Sequence, residues 1–374
     1  MKISRIAFWS LLLATLVASG CKRADSQGFP AAGQRARQAA HARVVVTSAA
    51  DAEFSSINGV DADSRGRIYV SDWMRRGVTV LSPDGRMLRR MGRDGSGPGE
   101  FRAIRGLQVL AGDTVLAYDP DLARVTLFEP ESLRVANTVN LAGQLHGAAP
   151  FRVWRASGDT YVALFRSGFA FGSGGAIAER KDSVAVLRAH GTPGATIAHV
   201  PARGFLLAGT SIAPNPFGRE PLVATDTRGR VQYVWTDSLA VQTYDASGKR
   251  VSAFAVPYRA PAVTRADVQG ELGAMDDYGR RTFGQVLADS MPGTWPAVRD
   301  LLTDDAGRVW IGLAGPRGAA REWAVFTPEG RYLRSVLVPE KVTLRAVRGG
   351  KLYGDQANDD GVPSVVVLTL DREV

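Results

Sequence analysis

Asn58-Gly59-Val60-Asp61-Ala62-Asp63-Ser64-Arg65-Gly66-Arg67-Ile68-Tyr69-Val70-Ser71-Asp72 is an alternating run, a glycine turn and a second run ending in aspartate. Val78 to Leu81 follows, then the turn Ser82-Pro83-Asp84-Gly85 and a fourth run, Arg86 to Met91. Runs this short, with tight glycine turns between them, read as four antiparallel strands. Four such strands make one blade of a propeller.

The pattern recurs along the chain, and internal repetition at this scale decides architecture before any single element does. First turns are marked by Gly66, Gly112, Gly158, Gly229, Gly307 and Gly350, and the runs after them read IYVSD, TVLAYD, TYVALF, VQYVWTD, VWIGL and KLYGD. The third-to-fourth turns are SPDG, EPES, AHGTPG, DASG and TPEG, five for six first turns. The sixth unit ends after its third strand, near Leu370. Its fourth strand is expected from Ala42-Arg43-Val44-Val45-Val46-Thr47 at the other terminus, a closure that removes an open sheet edge. The expected fold is all-β: a six-bladed β-propeller of four-stranded antiparallel blades over 42–371, with a short helical insertion at 258–296 between blades four and five.

On these residues the chain resembles a known family. The first blade is similar to an NHL repeat, and Gly92-Arg93-Asp94-Gly95-Ser96-Gly97-Pro98-Gly99-Glu100-Phe101 to that family's glycine-rich link between blades. The whole of 42–371 resembles six-bladed, TolB-like propeller lipoproteins of bacteria. The resemblance implies the fold more than the function, because propellers host binding modules, hydrolases and lyases alike.

The N-terminus carries an address. Met1 to Arg5 is cationic, and Ile6 to Gly20 is fifteen residues without charge. As a helix it would rise about 22 Å, short of a bilayer's hydrocarbon core. A signal peptide at 1–20 is expected, and Val17-Ala18-Ser19-Gly20-Cys21 resembles a lipobox with Cys21 as the lipid attachment site. Residues 21–41 are small, polar and basic and read as a flexible tether. The protein is therefore expected to be exported and membrane-anchored, periplasmic or at the outer membrane. Lys22 after the cysteine, where many retained lipoproteins have Asp, inclines the reading to the outer membrane.

Composition narrows the chemistry. The 374 residues hold one Cys and four His, which excludes an intramolecular disulfide, Cys-rich zinc modules and a His-rich metal site. The formal charge of +9 becomes +7 once Lys2 and Arg5 are removed, and only six basic residues are Lys. No basic run interleaves with aromatics, so nucleic acid is not an expected partner. Two segments depart from the minimal blade. Residues 168–181 (GFAFGSGGAIAERK) lengthen a turn of blade three but lack the ending of a phosphate loop. In 258–296, Thr264-Arg265-Ala266-Asp267 predicts a helix N-cap, with Val268, Leu272, Met275, Phe283 and Leu287 near helical spacing. That segment either caps a channel mouth or decorates the rim.

Propeller sites lie where inner strands converge, a few residues before each first turn. That count finds Arg105, Arg152, Arg299 and Arg345, with Arg102 and Arg155 nearby, as candidates to bind carboxylate or phosphate groups. It also finds Asn58, Glu220 and Asp300, oxygen donors that could hold Ca²⁺ or another divalent cation. These three resemble the metal arrangement of gluconolactonase-like propellers in residue type. Asp72, Asp119, Asp237 and Asp355 end second strands and are expected to cap turns. No Gly-x-Ser-x-Gly elbow is present, and His146, His190 and His199 do not converge.

The favoured reading is a monomeric binding or scaffold module, without a cofactor, for an envelope protein, peptide or glycan. The alternative is a metal-dependent hydrolase or lyase with its site at the channel mouth. Cys21→Ser should abolish membrane association and leave the propeller folded, since stable anchoring takes more than one acyl chain. Unchanged membrane fractionation of that variant would remove the lipoprotein reading.

Overall fold

The computed structural model describes residues 28–49, 52–141, 149–167, 181–188 and 194–371. Residues 1–20, Cys21, most of the 168–181 loop, His146 and His190 lie outside the described residues. Among the described residues no helix is long and apolar enough to cross a membrane.

Six four-stranded antiparallel blades stand around one axis. Their inner strands are Ile57–Ala62, Gly106–Val109, Arg152–Ser157, Pro221–Thr225, Val298–Thr303 and Val342–Arg348. The ring closes through the N-terminal strand Ala40–Thr47, which pairs antiparallel with Pro363–Leu370, Ala42 opposite Leu370 and Thr47 opposite Val366. Ala40 and His41 also run parallel to Val336 and Leu337 of blade five, so this strand joins two blades. Six apolar clusters fill the six blade interfaces. Trp310 and Trp323 pack on Leu344 and Leu352 between blades five and six, for example, and Ile57 and Val60 pack on Tyr353 and Val367 between blades one and six.

All six predicted first-turn glycines adopt positive φ. At Gly229 the need is steric as well, because a Cβ there would stand 1.6 Å from the Ala156 carbonyl oxygen. Three of these turns share a device with the spelling Asp-x-x-Gly-Arg. Asp63, Asp226 and Asp304 each accept backbone N–H bonds across the turn and pair with Arg67, Arg230 and Arg308 at 2.5, 2.8 and 2.6 Å. The carboxylates are buried with their bonding satisfied, so the turn is held by charge-assisted bonds as well as by glycine.

Among the described residues, three helices interrupt the β pattern. The segment read as a tether departs from that reading over its second half, where Ala32–Gln38 forms α1. Arg35 is buried, its Nε donates to Glu322 at 2.6 Å, and its guanidinium lies 4.2 Å from the Phe29 ring. Phe29 in turn packs on Phe326 and Tyr332 of blade five. Alternation cannot reveal such docking, because the partners lie about 290 residues away. Within the insertion, α2 (Arg265–Gly273) begins at the predicted Thr264 cap, with a full capping box to Asp267, and α3 (Asp277–Asp289) begins at Asp276. Phe283 and Leu287 of α3 pack with Val268 of α2 onto Leu206 of a hairpin, Phe205–Ala208 and Ser211–Pro214, that links blades three and four.

Deleting Ala42–Thr47 should lower the melting temperature far more than deleting Lys22–Gln27. Deleting Phe29–Gln38, with its buried Arg35, should fall between the two. Thermal melts of the three deletions check the order, and equal melting temperatures would refute closure by the N-terminal strand.

Candidate functional site

The start of each inner strand faces the axis, and these six starts surround one mouth. Its cavity, about 500 Å³, is lined by Asn58, Arg105, Arg152, Glu220, Arg299, Asp300 and Arg345 among others, so every candidate counted from the turns comes to one place. Arg166 and Arg203 line it too. At the mouth six arginines face two carboxylates, Glu220 and Asp300, while Arg348 and Asp61 line the far end of the cavity.

The arginines differ in how they are held. Arg105 is sandwiched between aromatic rings, its guanidinium 4.7 Å from Trp73 and 4.3 Å from Phe151. Arg166 covers Phe151 at 3.7 Å. Arg166 and Arg203 share Glu220 at 3.6 and 3.5 Å, and both keep a buried Nε without a hydrogen bond. Arg345 is engaged by Asp355 at 2.6 Å, and Arg299 lies 3.9 Å from Asp300. Among the described residues the Arg152 guanidinium donates no hydrogen bond and forms no ion pair, although the charge of Glu220 acts in its favour. Burial, reinforced by Arg345, Arg166 and Arg105 around it, pushes its pKa down to about 10. At neutral pH it remains a cation with no direct partner among the described residues.

Two of the three predicted oxygen donors in the mouth, Asn58 and Glu220, are engaged by other residues. Asn58 donates from its amide to the Ile104 carbonyl at 2.5 Å and accepts from Ser71 at 2.6 Å. Glu220 answers two guanidiniums. Burial raises the pKa of Asp300, against the opposing pull of Arg299, Arg321 and Arg345. A divalent cation here would meet a field of arginines and an amide already bonded through both ends. No group of three or more His, Cys, Asp or Glu able to hold a metal occurs among the described residues.

The other end of the channel is closed by bonds that cross it. Gln108 of blade two donates to Thr225 of blade four at 2.6 Å and accepts from the Arg155 amide of blade three at 3.1 Å. Thr303 of blade five donates to the Thr225 carbonyl at 2.7 Å. Arg348 of blade six pairs with Asp61 of blade one at 2.9 Å, and Asp61 also accepts from the Val109 amide of blade two. All six blades are tied at this level, so the channel is a cup with a polar floor.

Some expectations need correction. Arg102 is exposed and bonds Ser96, and Arg155 sits at the floor end, where its Nε donates to the Gly158 carbonyl. Neither enlarges the mouth set. Asp72 and Asp119 cap loop amides as expected, but Asp237 pairs with Arg219 and Asp355 with Arg345. Sequence reading missed Arg166, Arg203, Trp73 and Phe151. Trp73 and Arg166 each directly follow a second strand, so counting second-strand ends as well as inner-strand starts would have found both.

The insertion stands beside this mouth. A second cavity, about 660 Å³, lies under α2, α3 and the hairpin and shares Arg203, Glu220, Arg299 and Asp300 with the first. The helices therefore wall one side of the mouth.

Comparison with known proteins agrees with the architecture. The DUF5128 family, described as a 6-bladed beta-propeller, matches residues 47–146. Among solved structures, a protein of Bacteroides fragilis described as exported is similar at 8% identity and a TM-score of 0.52, over 88% of this chain and 96% of that one. A duf4221 family member from Bacteroides vulgatus is similar at 8% identity and 0.51, over 89% and 99%. At such identities the likeness shows the fold alone. No curated protein matches the chain.

A cation held without a partner costs stability. Because the folded-state pKa of Arg152 is lowered, the cost is present below that value and vanishes only at more alkaline pH. Arg152→Met should therefore stabilise the fold at pH 7 by about 1–2 kcal/mol, discounted for water in the mouth. Denaturant titration measures it, and a loss of stability would show that Arg152 serves the fold instead of a ligand.

Proposed function

We propose that this chain is an exported, lipid-anchored binding module of the cell envelope whose propeller mouth takes an anionic group of a protein, peptide or glycan. The observation that carries the reading is Arg152, unpartnered in a mouth it shares with Arg105, Arg166 and Arg345. An anion entering there would gain bidentate bonds and relieve the mutual repulsion of the guanidiniums. Arg105 and Arg166 are held in place by ring contacts, so less freedom is lost when they bind. The closed floor makes the mouth a terminus instead of a pore, which suits capture. The export reading is supported by the uncharged run before Cys21.

Calorimetry with an oligoglutamate peptide at two ionic strengths tests the proposal. Binding should weaken several-fold with added salt, because the mouth stays hydrated. It should fall below detection in the Arg105→Ala, Arg152→Ala double variant. Equal binding by that variant would relegate the arginines to the surface.

A further inference from the structure

Two excursions from the propeller build the second cavity. The hairpin 205–214 leaves the link between blades three and four, and α2 and α3 leave the link between blades four and five. They reach each other through Leu206, Val268, Phe283 and Leu287, and the Tyr278 hydroxyl lies 3.0 Å from Ser211 Oγ. The space beneath, about 660 Å³, is of the size that encloses a small organic molecule.

Its wall has two kinds of surface. Pro214, Pro216, Met275, Phe283, Trp295 and Ala314 are apolar. Most of the charges peculiar to it are already spent. Glu271 holds Arg317 through two bonds of 2.8 and 3.0 Å, and Asp276 caps α3 by accepting from the Gly279 amide at 2.7 Å. The charges it shares with the mouth are Arg203, Glu220, Arg299 and Asp300, at the junction of the two cavities. A chamber with one apolar wall thus opens beside the mouth, across a junction of two arginines and two carboxylates.

We propose that this chamber is a second subsite, which takes the aliphatic or aromatic body of a small amphiphilic carboxylate whose charged group is held by the mouth arginines. The inference rests on the anion-binding reading of the mouth and adds the chemical class of the ligand. Such a molecule satisfies both surfaces at once, since the carboxylate pairs with guanidinium and the body displaces water from Pro214, Pro216 and Met275, lining residues that keep accessible apolar surface. A ligand with only a charge would leave the chamber wet, and one with only an apolar body would leave Arg152 unpaired.

The test uses the propeller with its insertion intact and a homologous series, acetate, butanoate, hexanoate and octanoate, with 1-octanol as the uncharged control. Affinity is followed by calorimetry or ligand-observed NMR. It should rise along the series, by up to about fourfold for each methylene that becomes fully buried. Two variants at chamber-lining residues, Met275→Gln and Ala213→Phe, should flatten that rise and leave acetate binding as in the wild type. Arg152→Gln should weaken every carboxylate and keep the rise. Chain-length independence, with carboxylate binding still lost in Arg152→Gln, would overturn the subsite and leave the anion-binding mouth standing. Octanol binding as tightly as octanoate would show a chamber uncoupled from the arginines and would also overturn it. If no carboxylate binds at low salt, the mouth reading fails and the subsite with it.

Discussion

Everything in this molecule depends on one strand pairing. Blade six has three strands from the C-terminal end of the chain, and Ala40–Thr47 supplies the fourth. Without it Pro363–Leu370 would present an unpaired edge, and blade five would lose its parallel contact through Ala40 and His41. Closure turns six separate apolar interfaces into a ring in which no blade has a free face. It also makes six inner strands converge at one height, and that convergence creates the mouth.

The same geometry explains the electrostatics. Residues far apart in sequence but equivalent in their blades are forced together, and here the equivalent positions are rich in arginine. Arg105, Arg152 and Arg345 come from blades two, three and six and share one cavity. The fold tolerates the repulsion because most of the cluster is supported by other contacts. Trp73 and Phe151 hold Arg105, Glu220 serves Arg166 and Arg203, and Asp355 serves Arg345. Arg152 has no such contact among the described residues, and the charges of Arg345, Arg166 and Arg105 act against it with Glu220 opposing them. At the floor the opposite choice is made, since Arg348 has Asp61 beside it and burial is matched by pairing. Two arginines at the two ends of one channel thus differ in that one is paired across blades and the other has no direct partner among the described residues.

Shape then adds to charge. A bare propeller would offer only a round mouth, but the hairpin and the two helices raise a wall on the side of blades four and five. Their own small core, built on Phe217 and Trp295 in edge contact at 4.8 Å, makes that wall a packed element of the fold. The cavity beneath it meets the mouth at residues shared by both, so the concave surface is wider and more mixed in character than the ring alone provides.

Local pattern was enough for much of this. Alternation and the turn glycines located the first turn and the second strand of every blade, because period-two burial and positive φ are properties of a few adjacent residues. The Thr264–Asp267 cap was legible for the same reason, since its bonds span three residues. The blade grammar even placed the mouth residues, as distance from a turn determines height on an inner strand. What the chain by itself did not reveal needs partners distant in sequence. Whether Asn58 is free to ligate depends on Ile104, whether Arg345 is free depends on Asp355, and whether residues 28–41 form a tether depends on Glu322 and the rings of blade five. Arg203 joins the mouth only because the chain crosses from blade three to the hairpin there. Such facts are decided by ring closure, which sets the distances between blades, and no local periodicity encodes a distance between segments hundreds of residues apart.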